Sequence, residues 1–207
     1  MKTIVYVDGF NLYYGAVKGT PYKWLDINKL CELLLPKHTI HRIEYFTARV
    51  TARSGDPGQP TRQQIFLRAL ATLPNVEIIF GHFLSSEALM PLAQLKFGKR
   101  EYAKVIKTEE KGSDVNLATH LVRDAFRNEF DAAVLITNDS DLKEPVRIVR
   151  RELGFPVGIL NPHNRASRTL AEEASFVKQI RKGVLKNSQF PRTLHDRHGV
   201  ITKPKSW

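Results

Sequence analysis

The chain has 207 residues, of which 42% are hydrophobic, and its 32 Lys and Arg against 21 Asp and Glu give a formal net charge of +11. This content suffices for one domain with a buried core, and the basic excess is typical of proteins that bind a phosphate backbone. The single cysteine, Cys31, excludes an intrachain disulfide, and no apolar run approaches the ~18 residues of a membrane span. We therefore expect a cytoplasmic protein with no membrane partner.

The first part of the chain alternates short β-branched runs with amphipathic segments. A continuous apolar run such as residues 3–7 is typical of a buried parallel strand. Asp26 and Thr61 are suitable N-caps for helices, and Pro36 ends the first of these two. The pattern predicts strands at 3–7, 40–50 and 76–83, and helices at 11–17, 27–35 and 61–73.

The second part continues this alternation after a change of pattern at residues 84–108, which predict a hairpin or basic flap. The elements expected beyond it are helices at 113–128, 140–153 and 168–174 and strands at 132–136 and 156–160. Alternating strands and helices indicate an α/β fold, with a mainly parallel five-stranded sheet in a three-layer α/β/α arrangement.

The chain loses the periodicity of a core near its end. Residues 181–207 hold seven Lys or Arg against one acid, Asp196. We therefore predict one domain at residues 1–178, with 84–108 as an insertion, and a basic, extended tail at 179–207.

Four aspartates occupy positions close to predicted strand ends and helix starts: Asp8, Asp114, Asp139 and Asp141. The carboxyl ends of parallel strands meet at one edge of the sheet, where ligands bind. Carboxylates gathered there repel one another unless a divalent cation neutralises them, and oxygen ligands suit Mg²⁺ or Mn²⁺. The alternative to a metal site is a local structural role for each residue, since aspartates also form turns and cap helices.

Other polar residues near these segments are candidates for substrate binding. Asn11 could cap the first helix or hold a phosphate or the attacking water through its amide. His120 could be an outer ligand, a proton carrier or a packed residue. Phe10, Tyr13 and Tyr14 could stack a base or belong to the core. The candidate phosphate contacts are Lys111, Arg49, Arg53 and Arg62.

Three motifs carry a resemblance to a known family: residues 6–11 (YVDGFN), 111–118 (KGSDVNLA) and 137–142 (TNDSDL). In these segments the chain resembles the NYN domain family, a branch of the PIN-like nucleases. The resemblance implies a PIN-like, Rossmannoid fold and metal-dependent ribonuclease chemistry. It places the family's acids on Asp8, Asp114, Asp139 and Asp141, with Asn11 as the motif amide. Many relatives carry another aspartate where this chain has His120.

The favoured interpretation is a Mg²⁺- or Mn²⁺-dependent ribonuclease whose partner is RNA, single-stranded RNA included. Basic residues of the flap and tail would hold the RNA backbone, and a homodimer is left open. The alternatives are an RNA-binding module with a vestigial pocket and a metal-dependent phosphatase of the haloacid dehalogenase type, although that type needs an acid where Phe10 stands. A nucleotide-binding Rossmann protein is disfavoured because the first strand–helix turn lacks a G-x-G-x-x-G sequence.

Overall fold

The chain folds around a β-sheet that is flanked by helices. The structure is a computed structural model and describes residues 1–52, 55–96 and 99–207. The strands in this part of the chain are β1 (Lys2–Asp8), β2 (Thr39–Thr47), β3 (Val76–Phe80), β4 (His82–Lys96), β5 (Lys99–Lys111), β6 (Ala132–Ile136), β7 (Val157–Asn161), β8 (Phe176–Gln179), β9 (Thr193–Asp196) and β10 (Gly199–Thr202).

The helices are short, and two of them continue into π-helical turns. They are α1 (Gly9–Leu12, continuing over Tyr13–Val17), α2 (Ile27–Leu34), α3 (Gln59–Leu70), α4 (Ser113–Phe126), α5 (Lys143–Arg147, entered through a 3-10 turn at Ser140–Leu142 and continuing over Ile148–Glu152), α6 (Arg168–Glu173) and α7 (Lys182–Asn187). No helix in the described ranges is long and apolar enough to cross a membrane.

The central sheet has six strands in the order β3-β2-β1-β6-β7-β8, and all neighbouring pairs are parallel. The chain moves outward from β1 to β3 and then returns to the centre as β6, so the strand order reverses between β1 and β6. In open α/β sheets this reversal opens a crevice beyond the carboxyl ends of the two strands. Asp8 ends β1 at this point.

The two faces of the sheet bury separate cores. On β1, Val5 and Val7 belong to the core that includes residues of α2, α3 and α7, whereas Ile4 and Tyr6 belong to the core that includes α4 and α6. This separation follows from the two-residue period of a strand, which points successive side chains to opposite faces. The predicted three-layer α/β/α fold is therefore confirmed.

The sheet has one strand more than the five expected. The additional strand, β8, runs at the edge beside β7. It has only two apolar residues, Phe176 and Val177, so its sequence carries no strand-length apolar pattern. Its tertiary contacts place it: Phe176 pairs with Gly158, and the ammonium group of Lys178 donates a hydrogen bond to the carbonyl of Leu34 at 2.8 Å.

The segment after residue 180 differs from the extended tail expected. It contains α7 and an antiparallel hairpin of β9 and β10. Ile201 of this hairpin is fully buried. Arg68 of α3 donates two hydrogen bonds to the Asp196 carboxylate, at 2.8 and 3.0 Å. Isolated residues such as Ile201 and Asp196 thus anchor a segment whose composition is basic. No local sequence pattern predicted this folded structure. The boundary predicted at residue 178 stays a prediction.

Candidate active site

Asp8 lies at the reversal point and is nearly completely buried, with 5% of its surface exposed. It caps α1, because its Oδ1 accepts a hydrogen bond from the backbone N–H of Asn11 at 2.9 Å. Its Oδ2 accepts a hydrogen bond from the hydroxyl of Thr137 at 3.1 Å. The end of β1 is thereby joined to the residue that follows β6.

Asp139 and Asp141 follow β6 in a tight 3-10 turn. The backbone N–H of Asp139 donates to the Thr137 hydroxyl at 3.1 Å, and the N–H of Asp141 donates to Oδ1 of Asp139 at 3.0 Å. Asp139 is therefore an N-cap, as the alternative interpretation held, and its side chain also lines the cleft beside Asp8. Asp141 is exposed and is not among the residues lining that cleft.

Asp114 reaches the same cleft from the first turn of α4. Gly112 precedes this helix with a φ of 96°, a left-handed conformation that glycine adopts without strain. Glu110 caps the helix start, since its Oε1 accepts hydrogen bonds from the backbone N–H of Ser113 at 3.1 Å and from its hydroxyl at 2.6 Å. Glu110 lines the cleft as well.

The electrostatics of the cleft are those of crowded carboxylates. The pKa of Asp8 is raised to about 7, mainly by burial and in part by the charges of Asp114 and Asp139, while the two hydrogen bonds oppose the rise. Burial also raises the pKa of Asp114, with contributions from Asp139, Glu110 and Asp141. No ion pair in the described part of the chain involves Asp8, Asp114, Asp139 or Asp141. A cation bound in the cleft would therefore relieve the repulsion between these carboxylates.

The carboxylates line one part of a cavity of about 670 Å³. Its walls come from α1, β2, α3, the start of β4 and the end of the C-terminal segment. Seven aromatic side chains are among the residues that line it: Phe10, Tyr13, Tyr14, Tyr45, Phe66, Phe83 and Trp207. Phe10 and Phe83 meet edge to face with ring centroids 5.7 Å apart, so the aromatics after Asp8 contribute to the cavity wall.

The predicted substrate-binding residues are scattered around this site. Arg62 lines the cavity and forms an ion pair with Asp56. Arg49 is exposed and lies over the ring of Phe80, 4.9 Å from its centroid. Lys111 is exposed and 3.7 Å from the carboxylate of Glu109. Arg53 lies outside the described residues.

His120 belongs to another cluster, on the α4 side of the sheet. Its Nδ1 lies 2.8 Å from Oε2 of the buried Glu44, and its ring meets that of Phe46 edge to face. Arg42 forms ion pairs with Glu44 at 2.9 Å and with Asp124 at 2.6 Å. The structure therefore places His120 in a paired charge network and not among the residues that line the acidic cleft.

A protein-family model identifies the family of this chain. The NYN domain model matches residues 2–180. The chain belongs to the NYN domain family. This family is of the RNase type, so membership supports nuclease or hydrolase activity in general terms.

Two similar proteins accompany this match. The 6-hydroxy-3-succinoylpyridine 3-monooxygenase HspA of Pseudomonas putida (strain DSM 28022 / S16) is 32% identical over 237 residues, which cover 100% of this chain and 75% of that protein. The crystal structure of VPA0982, a protein of unknown function from Vibrio parahaemolyticus RIMD 2210633, superposes with a TM-score of 0.54 at 20% identity. It covers 87% of this chain and 93% of that one, and it supports the fold alone.

The NYN family resemblance implies a divalent cation, and the donor chemistry here fits one. No group of three or more His, Cys, Asp or Glu side chains is arranged to hold a metal ion within residues 1–52, 55–96 and 99–207. Mg²⁺, however, keeps several waters and commonly uses only one or two carboxylates together with substrate phosphates. Asp8, Asp114 and Asp139 supply oxygen donors, and burial together with the neighbouring carboxylates raises the pKa values of Asp8 and Asp114.

Several cleft residues of this NYN protein escaped the sequence interpretation. His163 lies two residues after β7 ends at Asn161, so the rule that found Asp8 and Asp139 could have found His163 too. Glu110 lies three residues before a helix start, a position typical of capping. Tyr45 and Trp207 carry no local signal, since only the tertiary fold brings them to the cavity.

Proposed function

We propose that this protein is a divalent-metal-dependent ribonuclease that hydrolyses phosphodiester bonds in the acidic cleft. The observation that carries the proposal is the gathering of Asp8, Asp114 and Asp139 around one cleft at the reversal point of the sheet. The net charge of +11 on the whole chain favours a polyanionic substrate. Membership of an RNase-type family supports the same chemistry.

The residues that would hold Mg²⁺ or Mn²⁺ are Asp8, Asp114 and Asp139, with Asp141 beside them. The cation, when bound, supplies a lowered pKa for a coordinated water and charge stabilisation for the leaving oxygen. The side chain of Asn11 has its oxygen engaged by Asn138, which leaves the amide N–H groups to donate to a phosphoryl oxygen. Thr137 and the N–H of Asn11 hold the carboxylate of Asp8 in place.

The test is cleavage of a mixed RNA pool by the wild type and by Asp139→Asn, each with Mg²⁺, with Mn²⁺ and with EDTA. Asp131→Asn is the matched control, since Asp131 precedes the same strand at its opposite end and accepts a hydrogen bond from the N–H of Lys2. We expect metal-dependent cleavage by the wild type and the control, and at least a hundredfold loss in Asp139→Asn. An Asp139→Asn protein as active as the control would overturn the mechanism.

The same assay, repeated with monophosphate esters and with DNA as substrates, separates the remaining alternatives. RNA that is bound but not cut under all conditions would favour an RNA-binding module with a vestigial pocket. Release of inorganic phosphate from monophosphate esters, without cleavage of internal RNA bonds, would favour a phosphatase. Cleavage of DNA at a similar rate would broaden the substrate class.

A second candidate function comes from the relative at 32% identity, whose name describes a pyridine monooxygenase. The aromatic lining of the cavity favours it, because a flat ring of that kind would fit between such side chains. A monooxygenase places one oxygen atom of O₂ on its substrate and reduces the other to water with a two-electron reductant. Consumption of O₂ with a 6-hydroxypyridine and a reduced nicotinamide, and no cleavage of RNA, would favour this function over the first.

A further inference from the structure

The cavity that the carboxylates line also has an aromatic wall, which phosphodiester cleavage does not need. Phe66 stands at its centre, with ring centroids 6.3 Å from Tyr45 and 5.9 Å from Trp207. Both neighbours meet Phe66 near edge to face, so the three rings support one another. A volume of about 670 Å³ lies within the usual range of small-ligand pockets, roughly 300–1,000 Å³.

Tyr45 is a largely buried polar residue of this wall whose hydroxyl the described part of the chain leaves without a partner. It is 6% exposed, it lines the cavity, and its hydroxyl makes no hydrogen bond within the described part of the chain. Tyrosine hydroxyls in such surroundings usually find a partner, so this one is free to bond a ligand in the cavity. Burial and the neighbouring Asp8 raise the pKa of this phenol, so it remains a donor at neutral pH.

Gly9 lets the phenol of Tyr45 pack directly against the backbone. A Cβ at this position would lie 2.8 Å from the Tyr45 oxygen and 2.7 Å from the carbonyl oxygen of Phe46. Contacts this short do not occur in relaxed proteins, so a larger residue would displace the phenol or the strand. The chain therefore holds the hydroxyl close to the backbone at the end of β1, beside Asp8.

Trp207 completes the wall from the C-terminal segment. Its ring packs on Trp24, with centroids 6.3 Å apart, and on Phe66. Trp24 is fully buried and donates its indole N–H to the carbonyl of Pro191 at 2.7 Å, so it fixes the surface on which Trp207 rests. Trp207 lines the cavity and Trp24 does not.

We propose that this cavity binds a planar heteroaromatic ring, held between the aromatic side chains and hydrogen-bonded through a ring oxygen or nitrogen to the hydroxyl of Tyr45. The inference rests on the proposed function in one respect, since it places the ring next to the carboxylates that act on the substrate. Two sources supply such a ring: a nucleobase of the RNA, or a free hydroxypyridine as the second candidate function requires. A base stacked here would carry its phosphate toward the acidic cleft.

Binding is measured in EDTA, so that the result does not depend on cleavage. The probes are uridine 5′-monophosphate, adenosine 5′-monophosphate and 6-hydroxynicotinate, with ribose 5-phosphate as the probe that lacks a ring. Tryptophan fluorescence, to which Trp24 and Trp207 both contribute, reports the occupancy of the cavity, and calorimetry gives the affinity. We expect quenching and saturable binding for at least one ring probe and none for ribose 5-phosphate.

Two variants test the contacts. Tyr45→Phe removes only the hydroxyl and should weaken binding of the ring probe about tenfold, the equivalent of one hydrogen bond. Tyr102→Phe removes the same group from an exposed residue of the β4–β5 hairpin and should change nothing. Trp207→Leu should also weaken binding, as judged by calorimetry, while the circular dichroism spectrum of each variant reports the fold.

The outcomes are distinct from those of the cleavage assay. Binding of a nucleotide supports the cavity as a base site, and binding of 6-hydroxynicotinate alone supports a free ring, whichever activity the enzyme has. Equal binding of ribose 5-phosphate, an unchanged affinity in a folded Tyr45→Phe protein, or the absence of binding by every ring probe would overturn the inference. Failure of RNA cleavage with intact ring binding would overturn the ribonuclease proposal only.

Discussion

The side-chain oxygen of Asn11 accepts a hydrogen bond from the backbone N–H of Asn138 at 2.9 Å, although the two residues are 127 positions apart. This bond ties the loop after β1 to the loop after β6. Asn138 extends the connection, since its side chain accepts from the N–H of Ser167 at 2.6 Å and donates to the carbonyl of Arg165 at 3.0 Å. Three loops at the carboxyl end of the sheet thus hold one another around the acidic cleft.

Asn11→Ala should lower the free energy of unfolding by about 1–2 kcal/mol, because it leaves the half-buried N–H of Asn138 without its partner. It should also reduce RNA cleavage, since Asp8 and Asp139 would lose their fixed separation. Urea denaturation measures the first effect and the cleavage assay the second. Asn187→Ala, at an exposed position at the end of α7, is the control and should match the wild type. Equal stability of the Asn11 and Asn187 variants would show that the bond holds nothing together.

Asp8→Asn should become more stable relative to the wild type as the pH rises. The folded protein has a pKa of about 7 at Asp8, while an unfolded aspartate titrates near ~3.9, so the folded state holds an extra proton between these values. Wild-type stability attributable to this group therefore falls as the pH rises from about 4 to about 7. The variant does not titrate there, and its advantage should grow by on the order of 2–4 kcal/mol across the window.

Denaturation curves of both proteins in EDTA, taken at several pH values, measure this difference. Excess Mg²⁺ should reduce it, because a cation that binds only the charged form stabilises the wild type. A difference that stays constant from pH 4 to pH 8 would mean that Asp8 is not the crowded carboxylate described here.

Gly15 and His163 should be energetically coupled. The imidazole of His163 rests against Gly15 so closely that a Cβ there would lie 2.6 Å from its Cδ2 and 2.8 Å from its Nε2. The buried Asn161 holds the histidine backbone on both sides, accepting from its N–H at 2.9 Å and donating to its carbonyl at 2.8 Å. The ring cannot easily move aside, so Gly15→Ala should cost about 1–3 kcal/mol.

A double-mutant cycle with His163→Ala tests this contact. Most of the cost of Gly15→Ala should vanish when the imidazole is absent, giving a coupling energy of at least about 1 kcal/mol. Additive effects of the two substitutions would indicate that the ring does not occupy the position beside Gly15.

The C-terminal segment should contribute to stability and to RNA affinity through different residues. Ile201→Ala should cost about 2–4 kcal/mol, because it empties a fully buried site. Replacing Lys203 and Lys205 by Gln should leave stability unchanged. If these lysines bind the RNA backbone, the salt dependence of binding should fall by about 0.7 in slope for each phosphate that is no longer neutralised.

Lys37→Gln serves as the control for this measurement. Lys37 is exposed and precedes β2 at the end of the sheet opposite the cleft. A slope that is the same in the double lysine variant, the control and the wild type would rule out backbone contacts by the segment and leave it a structural role only.

The strand-and-acid pattern is visible in the sequence and predicts much of the candidate site. Asp8 ends one largely apolar strand and Asp139 comes three residues after another, and the carboxyl ends of neighbouring parallel strands lie at one edge of the sheet. Asp114, in the first turn of its helix, also lies in the same cleft. The layered arrangement was predicted from the alternation of strand and helix patterns, which are local and can therefore be recognised in a single sequence.

Tertiary structure decided which polar residues share the cleft and what surrounds them. His120 lies at a helix position compatible with the site. Its side chain instead pairs with Glu44, 76 positions away, and does not line the acidic cleft. Tyr45 and Trp207 both pack against Phe66. Strand β8 forms by pairing with β7 at the edge of the sheet. Each of these placements depends on contacts between distant segments, which local propensity and period do not encode. The sequence by itself thus determined the family, the layered fold and the acids, and the tertiary structure alone decided the aromatic cavity beside them.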